Sequence, residues 1–152
     1  MNAFSGILHN HALVAGLISM TLAQLLKPLV HYWMTHEWDP VQAISSGGMP
    51  SSHSSFVIAT ALVTGLRSGF DSEIFAVAMV FAIIVLYDAA NVRWQSGLHA
   101  QRINQLFREI FRGQPITEDI LKEVIGHTPR QVYAGILLGL IVGLVVEEIW
   151  VL

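Results

Sequence analysis

Long apolar runs separated by short polar segments organise the chain. Asp, Glu, Lys and Arg are absent from residues 1–26, 40–66, 74–87 and 131–146. These gaps contain four apolar runs, which are Ala12–Leu26, Phe56–Leu66, Ile74–Tyr87 and Val132–Val146. A helix that crosses a bilayer needs about 20 mostly apolar residues, and the runs reach that length with their flanking Ser, Thr, His, Trp and Tyr residues. The pattern predicts about four transmembrane helices in one all-α domain spanning residues 1–152.

Composition favours a membrane bundle over the alternative, a buried bundle in a soluble protein. Charged residues make up 12% of the chain, against about 25% in ordinary soluble domains. The runs are apolar all round rather than striped, as expected of helices that face lipid. The N-terminus lacks the basic start and cleavage site of a signal peptide, so we expect its hydrophobic stretch to be retained. The net charge of −3 gives no indication of a nucleic-acid partner, and the absence of cysteine excludes thiolate metal sites.

The segment between the third and fourth runs has structure of its own. Gly97–Phe111 places apolar residues at helical spacing with charges opposite, which predicts a short amphipathic helix. Thr117 is a typical N-cap and Gly126 follows the last turn of a second short helix. Both helices are expected to lie against the membrane or to cap the bundle. In the last run, Gly135, Gly139 and Gly143 share one face, which suits either internal packing or the seam of a homo-oligomer.

The most informative polar segment is residues 45–55, directly before the second run. It is rich in Ser and Gly and opens a helix, whose first amide groups and positive dipole end bind anions. A histidine beside such a site, His53, is placed to act as general acid toward a leaving oxygen. The alternative is a serine-rich helix cap with an incidental histidine.

Two motifs resemble those of a known superfamily. Pro50-Ser51-Ser52-His53 is similar to the P-S-G-H motif of type-2 phosphatidic acid phosphatases and vanadium haloperoxidases. The segment 127–135, H-T-P-R-Q-V-Y-A-G, resembles their H-x-P-x-D-V-x-A-G. With Tyr87-Asp88-Ala89 and Val92-Arg93, these motifs resemble a divergent branch, the acid phosphatase/vanadium-dependent haloperoxidase-related membrane proteins. The resemblance runs from about residue 12 to the C-terminus.

The resemblance implies a phosphohistidine mechanism with no cofactor or metal. His127 would be the nucleophile and His53 would protonate the leaving alcohol. Phosphoryl oxygens would be bound by Ser51, Ser52 and Lys27. Several residues differ from the superfamily motifs. Met34 stands where the first motif has arginine, and Ser52 replaces a glycine of the second. Ile120 and Leu121 stand where a Ser-Arg pair is expected, and Gln131 replaces the aspartate that orients the nucleophile.

Three further residues complete the predicted site. Arg93 is the natural phosphate-binding guanidinium, because its planar fork matches phosphate. Asp88 lies near the membrane boundary, where an unpaired acid is costly, and we expect it to hold either His127 or Arg93. An ion pair that only anchors the helix is the alternative for Asp88. His99 follows Arg93 with the Arg-to-His spacing of the superfamily's third motif and is a rival nucleophile, although no apolar run follows it.

The sequence therefore predicts a membrane-embedded hydrolase of phosphoric esters or pyrophosphates, with a phosphorylated membrane lipid as its substrate. Vanadate is expected to bind as a transition-state mimic. Two alternatives stay open. One is a non-catalytic phospholipid-binding or scaffold protein that kept the fold. The other is a small transporter component whose polar residues line a path.

The distribution of basic residues predicts the orientation in the membrane. Six of the eight lie between the third and fourth runs, at positions 93, 102, 108, 112, 122 and 130. The positive-inside rule places the loops 27–52 and 93–130 in the cytoplasm and both termini outside, in a multi-pass protein of the inner membrane.

Because the chain has no cysteine, Ser46→Cys and Gln114→Cys can be labelled individually. An impermeant thiol reagent should label both only after the cells are permeabilised, and labelling in intact cells would contradict this orientation.

Overall fold

The structure is a computed structural model that describes residues 3–45, 47–110 and 127–151. Within these residues there is no strand, and the helices are α1 (Ala3–Leu8), α2 (His11–Thr35), α3 (Ser52–Ser68), α4 (Glu73–Tyr87), α5 (Arg93–Ile110) and α6 (Pro129–Val151). A 3₁₀ turn spans Pro40–Ile44 and a π-helical turn spans Asp88–Val92. The four predicted apolar runs fall in α2, α3, α4 and α6, so the predicted all-α membrane bundle is confirmed.

Side-chain caps fix where the helices begin. The side chain of Asn10 accepts a hydrogen bond from the Leu13 N–H at 3.1 Å at the start of α2. Ser51 and Ser72 do the same for the first turns of α3 and α4. Each cap satisfies one of the amide groups that a helix leaves unpaired at its N-terminus. These caps set the first turn of α3, which carries His53.

Helix α3 lies in the middle of the bundle. It contacts α2, α4 and α6, and α2 also contacts α6. Small and β-branched side chains fill these interfaces in two clusters, one containing Ala15, Val63, Val142 and Val146 and the other Val57, Ala61 and Ala82. Large apolar side chains cover the outer faces, especially on α4. This distribution is typical of helices that pack through small residues and present apolar surface to lipid.

Three helical segments are long and apolar enough to cross a membrane: His11–Thr35, Glu73–Ile110 and Pro129–Trp150. The fourth predicted span corresponds to α3, which has 17 residues, about the minimum length for a helix that crosses a bilayer. The protein is therefore an integral membrane bundle with three clear spans around a shorter central helix.

The predicted amphipathic helix at Gly97–Phe111 begins earlier than expected. It belongs to α5, which starts at Arg93 and continues α4 through the π-helical turn as one helix of 38 residues. No Gly or Pro stands between Tyr87 and Arg93 to stop the helix. The second predicted short helix, from Thr117 to Gly126, and Phe111 lie outside the described residues.

The glycine stripe of α6 packs inside the bundle. A Cβ atom on Gly135 would collide with the carbonyl oxygen of Ser51, and one on Gly139 would lie 2.7 Å from that of Ser55. One on Gly143 would lie 3.1 Å from Leu62. All three glycines face α3, so the stripe serves helix packing within one chain rather than a seam between two.

A methyl group at Gly139 should therefore weaken the bundle. Gly139→Ala places its Cβ against backbone that cannot move away, and overpacking of this kind costs about 1–3 kcal/mol. Thermal unfolding in detergent micelles should show a lower midpoint than for the wild type. Gly6→Ala is the matched control, because a Cβ there has no atom within 4 Å. Equal midpoints for the two variants would contradict tight α3–α6 packing.

Candidate active site

The turn before α3 joins three parts of the bundle. Gly48 has a φ of +86°, a conformation that favours glycine, and a Cβ there would lie 3.5 Å from the Cδ atom of Lys27. The Ser51 N–H donates to the carbonyl of Gln131 at 3.0 Å, which ties the start of α3 to the start of α6. This backbone bond brings the segments that carry His53 and His127 to the same end of the bundle.

The two motif serines are buried rather than open to a ligand. Ser51 is fully buried, and its Oγ accepts hydrogen bonds from the N–H and the Oγ of Ser54, at 3.4 and 2.8 Å. Ser52 is 3% exposed. Neither side chain lines the cavity described below. Ser51 thus caps the helix, and the phosphate contact that the resemblance implies for the two serines stays a prediction.

His127 is held by the residue that replaces the expected aspartate. Its Nδ1 lies 3.2 Å from Oε1 of Gln131, and the same oxygen accepts the Thr128 N–H at 3.0 Å. Because an amide N–H can only donate, the Gln131 atom must be oxygen, and Nδ1 must carry the proton that it shares with this oxygen. In the neutral ring the lone pair is then on Nε2. Nε2 has no hydrogen-bond partner in the described structure.

Burial keeps this imidazole neutral. Desolvation lowers the pKa of His127 below its ordinary value of 6.5, and the positive charges of Lys27 and His53 lower it further. The hydrogen bond with Gln131 and the nearby backbone of Gly48 act in the opposite direction and raise this pKa. The net effect favours the uncharged ring, which is the form with a free lone pair.

Asp88 and Arg93 form an ion pair that depends on the π-helical turn. Arg93 Nε lies 2.5 Å from Asp88 Oδ2. Around an α-helix, residues five apart point about 140° away from each other. Here the Arg93 N–H donates to the Asp88 carbonyl, five residues back, which brings both side chains to the same side. The structure thus places Asp88 on Arg93, one of the two partners that we expected.

The same turn also positions His127. In a regular α-helix the carbonyl of Ala89 would accept the Arg93 N–H. Because that N–H donates to Asp88 instead, the Ala89 carbonyl is released from this donor and accepts the His127 N–H at 3.3 Å. Such π-helical turns occur frequently at functional sites.

A cavity of about 230 Å³ gathers these groups. It is lined by the side chains of His53, Asp88, Arg93 and His127, and by the apolar residues Ile84, Val85 and Ala89. The lining comes from α3, α4, the π-helical turn, the first residue of α5 and the loop before α6. The two histidines therefore lie at the same end of the bundle, together with a guanidinium.

Lys27 lines a different space. It borders a neighbouring groove of about 630 Å³ with Trp94 of α5, Gly48 of the turn, and residues 128–131 at the junction of the loop and α6. Lys27 is 1% exposed, and its Nζ donates to the carbonyl of Ser45 at 2.7 Å. His99 is exposed on α5 and lines neither space. Of the residues singled out in the sequence, His53, Asp88 and Arg93 line the cavity with His127. Lys27 lines the groove beside this cavity.

Sequence reasoning missed the contacts made by the backbone. The carbonyl of Ala89 and the π-helical turn have no signature in the sequence, because a five-residue spacing of Asp and Arg does not suggest a pair in an α-helix. The described residues contain no group of three His, Asp or Glu placed to hold a metal ion.

Comparison with known proteins found a relative and a matching family model. A relative from Bacillus subtilis (strain 168), the "Uncharacterized membrane protein YuiD", is 35% identical over 150 residues, covering 91% of this chain and 95% of the relative. No solved structure matches the chain. The model of the Divergent PAP2 family matches residues 8–142, which include every residue that lines the cavity. The chain is a membrane protein that belongs to the Divergent PAP2 family.

Proposed function

We propose that this protein hydrolyses the phosphate ester or anhydride of a membrane lipid through a phosphohistidine formed on His127. The observation that carries the proposal is the unprotonated Nε2 of His127, which has no hydrogen-bond partner in the described structure. A nucleophile needs such a lone pair, next to an acid for the leaving group and a cation for the phosphoryl oxygens. His53 and Arg93 line the same cavity.

The steps follow from these positions. Nε2 attacks phosphorus, the bond from phosphorus to the leaving oxygen breaks, and protonated His53 gives its proton to that oxygen. Arg93 binds the phosphoryl oxygens, and Asp88 positions Arg93 through its Nε. Water then attacks the phosphohistidine, neutral His53 accepts a proton from that water, and the N–P bond breaks to release phosphate. The site opens at the end of the bundle that we propose to be cytoplasmic.

A non-catalytic phospholipid-binding protein is the second candidate. It is favoured by Gln131, because an amide orients the imidazole but cannot stabilise the positive charge that the ring gains on phosphorylation. In a serine protease, replacing the corresponding acid by its amide lowers turnover about 10⁴-fold. A phosphate-release measurement separates this candidate from the hydrolase.

Phosphate release from lipid phosphates should depend on both cavity histidines. His127→Ala removes the nucleophile and should reduce the rate to the uncatalysed background. His53→Ala removes the general acid and should lower kcat about 10²–10⁴-fold. The assay measures inorganic phosphate from purified protein in detergent with a panel of lipid phosphates.

His99→Ala discriminates between the two candidate nucleophiles. Since His99 is exposed and outside the cavity, this variant should retain phosphate release. If His99→Ala abolishes release and His127→Ala does not, the nucleophile is His99. Binding of lipid phosphates without any release by the wild type would instead favour the non-catalytic candidate.

The pH profile should report the lowered pKa of His127. Only the neutral ring attacks, so kcat should persist as the pH falls below 6.5 and decline only when the ring takes up a proton at lower pH. Gln131→Glu keeps the oxygen that holds His127 and adds a negative charge, which raises the pKa of the ring. The acid limb of the profile should then move to higher pH, while turnover at neutral pH should stay level or rise. An acid limb that is the same in both proteins would contradict the role of His127.

A further inference from the structure

A polar crevice lies at the end of the bundle opposite the cavity. It has a volume of about 620 Å³ and is lined by the start of α2, the end of α3 and Ile74 at the start of α4. His53 lies in the first turn of α3 and Arg67 in its last turn, and this helix has 17 residues. At about 1.5 Å per residue, the two side chains are attached about 20 Å apart along the helix axis. The crevice is therefore a separate space, at the other surface of the membrane.

The crevice follows from how three helices pack. Helices α2 and α4 both pack on α3 and not extensively on each other. The last turns of α3 thus form a floor between them, with Ala12 and Leu13 of α2 on one side and Ile74 of α4 on the other. The volume is in the range of sites that hold small molecules, about 300–1,000 Å³. The apolar walls suit the hydrocarbon part of a lipid.

Arg67 supplies hydrogen-bond donors at this crevice. Its Nε lies 2.8 Å from the carboxylate of Glu147, which is its one partner in the described structure and leaves four of its five N–H groups. Arg93 is held by Asp88 at Nε in the same way in the cavity. None of the described residues that line the crevice is acidic. The remaining N–H groups of Arg67 therefore suit a phosphate, whose geometry matches the planar fork.

The floor of the crevice supplies acceptors. The hydroxyl groups of Thr60 and Thr64 donate to carbonyl oxygens one turn earlier in α3, at 2.9 and 2.8 Å. Their protons are thus used, and each oxygen can only accept a further hydrogen bond. Thr64 is 9% exposed, so water has little access to its oxygen. The crevice thus combines donors for a phosphate with acceptors for an amine or a hydroxyl group.

His11 adds another unused hydrogen-bonding group. It lines the crevice, and its ring packs on that of Trp150 with the centroids 4.5 Å apart. Its Nδ1 is buried and has no hydrogen-bond partner among the described residues. Buried polar atoms in proteins normally have a partner. The residues around the crevice therefore offer more hydrogen bonds than the described chain uses.

We propose that the crevice binds the headgroup of a phospholipid from the leaflet opposite the cavity, and selects headgroups that carry an amine or hydroxyl donor. The phosphodiester binds Arg67, the donor reaches Thr60 and Thr64, and the acyl chains leave along Leu13. Phosphoethanolamine and phosphoglycerol headgroups have this chemistry. Phosphocholine carries the same phosphodiester but no N–H or O–H group. The site is independent of the proposed hydrolysis, because it shares no lining residue with the cavity or the groove.

The test compares headgroups that differ in their donors. Purified full-length protein in maltoside micelles, which contain no phosphate, is titrated with dihexanoyl phospholipids in a calorimeter. Phosphatidylethanolamine should bind about tenfold more tightly than phosphatidylcholine, which leaves the threonine oxygens without a donor. Equal affinities would overturn the proposal. If free phosphoethanolamine binds as tightly as the lipid, the acyl chains are not held and the assignment to a lipid is wrong.

Two variants of the ion pair separate a direct contact from a structural effect. Arg67→Gln removes the guanidinium and should weaken the binding of both lipids about tenfold or more. Glu147→Gln breaks the same ion pair but keeps the guanidinium, so both lipids should bind as they do to the wild type. Equal losses of affinity in the two variants would show that the ion pair acts only through the fold.

Threonine variants test the selection of the donor. Thr64→Val should remove most of the preference for phosphatidylethanolamine, and Thr60→Val takes its place if that variant does not fold. Thr21→Val is the matched control, since Thr21 makes the same kind of bond, at 2.8 Å to the Leu17 carbonyl, and does not line the crevice. A preference that is the same in all these variants would contradict the proposed contact.

A variant of the cavity locates the bound lipid. His127→Ala changes the other end of the bundle and needs no turnover, so it should bind both phospholipids with the affinities of the wild type. Loss of binding in His127→Ala would place the lipid in the cavity and overturn the assignment to the crevice. Binding that persists in a protein that releases no phosphate would support the crevice even if the proposed hydrolysis fails.

Discussion

The close approach of α6 to α3 is the constraint on which the site depends. Without side chains at Gly135 and Gly139, the first turns of the two helices come near enough for the Ser51 N–H to reach the Gln131 carbonyl. Because Ser51 is fully buried, water does not compete for this backbone bond, and the bond holds the two chain segments together. His53 follows one partner of this bond by two residues, and His127 precedes the other by four. Their meeting is thus a consequence of helix packing.

A second constraint is the distribution of charge in a region of low dielectric. Among the described residues, ion pairs join Arg67 to Glu147 at one end of the bundle and Asp88 to Arg93 at the cavity. The latter pair leaves the cavity close to neutral, and the neighbouring Lys27 adds a positive charge that helps to keep His127 uncharged. Lys27 thus helps to keep His127 in the uncharged form that the proposed attack on phosphorus requires.

The π-helical turn explains how a sequence that departs from the superfamily motifs can still build such a site. Arg93 reaches the cavity from the start of α5, not from the segment before His127, because the π-helical turn places it on the same side as Asp88. Gln131 keeps the hydrogen bond that orients the imidazole. Arg93 therefore supplies an arginine from a different helix than the motifs predict. Gln131 supplies the acceptor that orients the imidazole, without the negative charge of an aspartate.

The sequence by itself determined the class of the fold and most of the titratable groups of the site. Four apolar runs can only be satisfied as helices in lipid, because every backbone polar group must be paired within its own segment. The motifs then singled out His53 and His127 without knowledge of their distance. Only the tertiary structure decided that Asp88 pairs with Arg93, that Ser51 is a buried cap, and that Lys27 borders a separate groove. These depend on a π-helical turn and on close backbone approaches, which arise from the packing of helices far apart in the chain and leave no periodic pattern in the sequence.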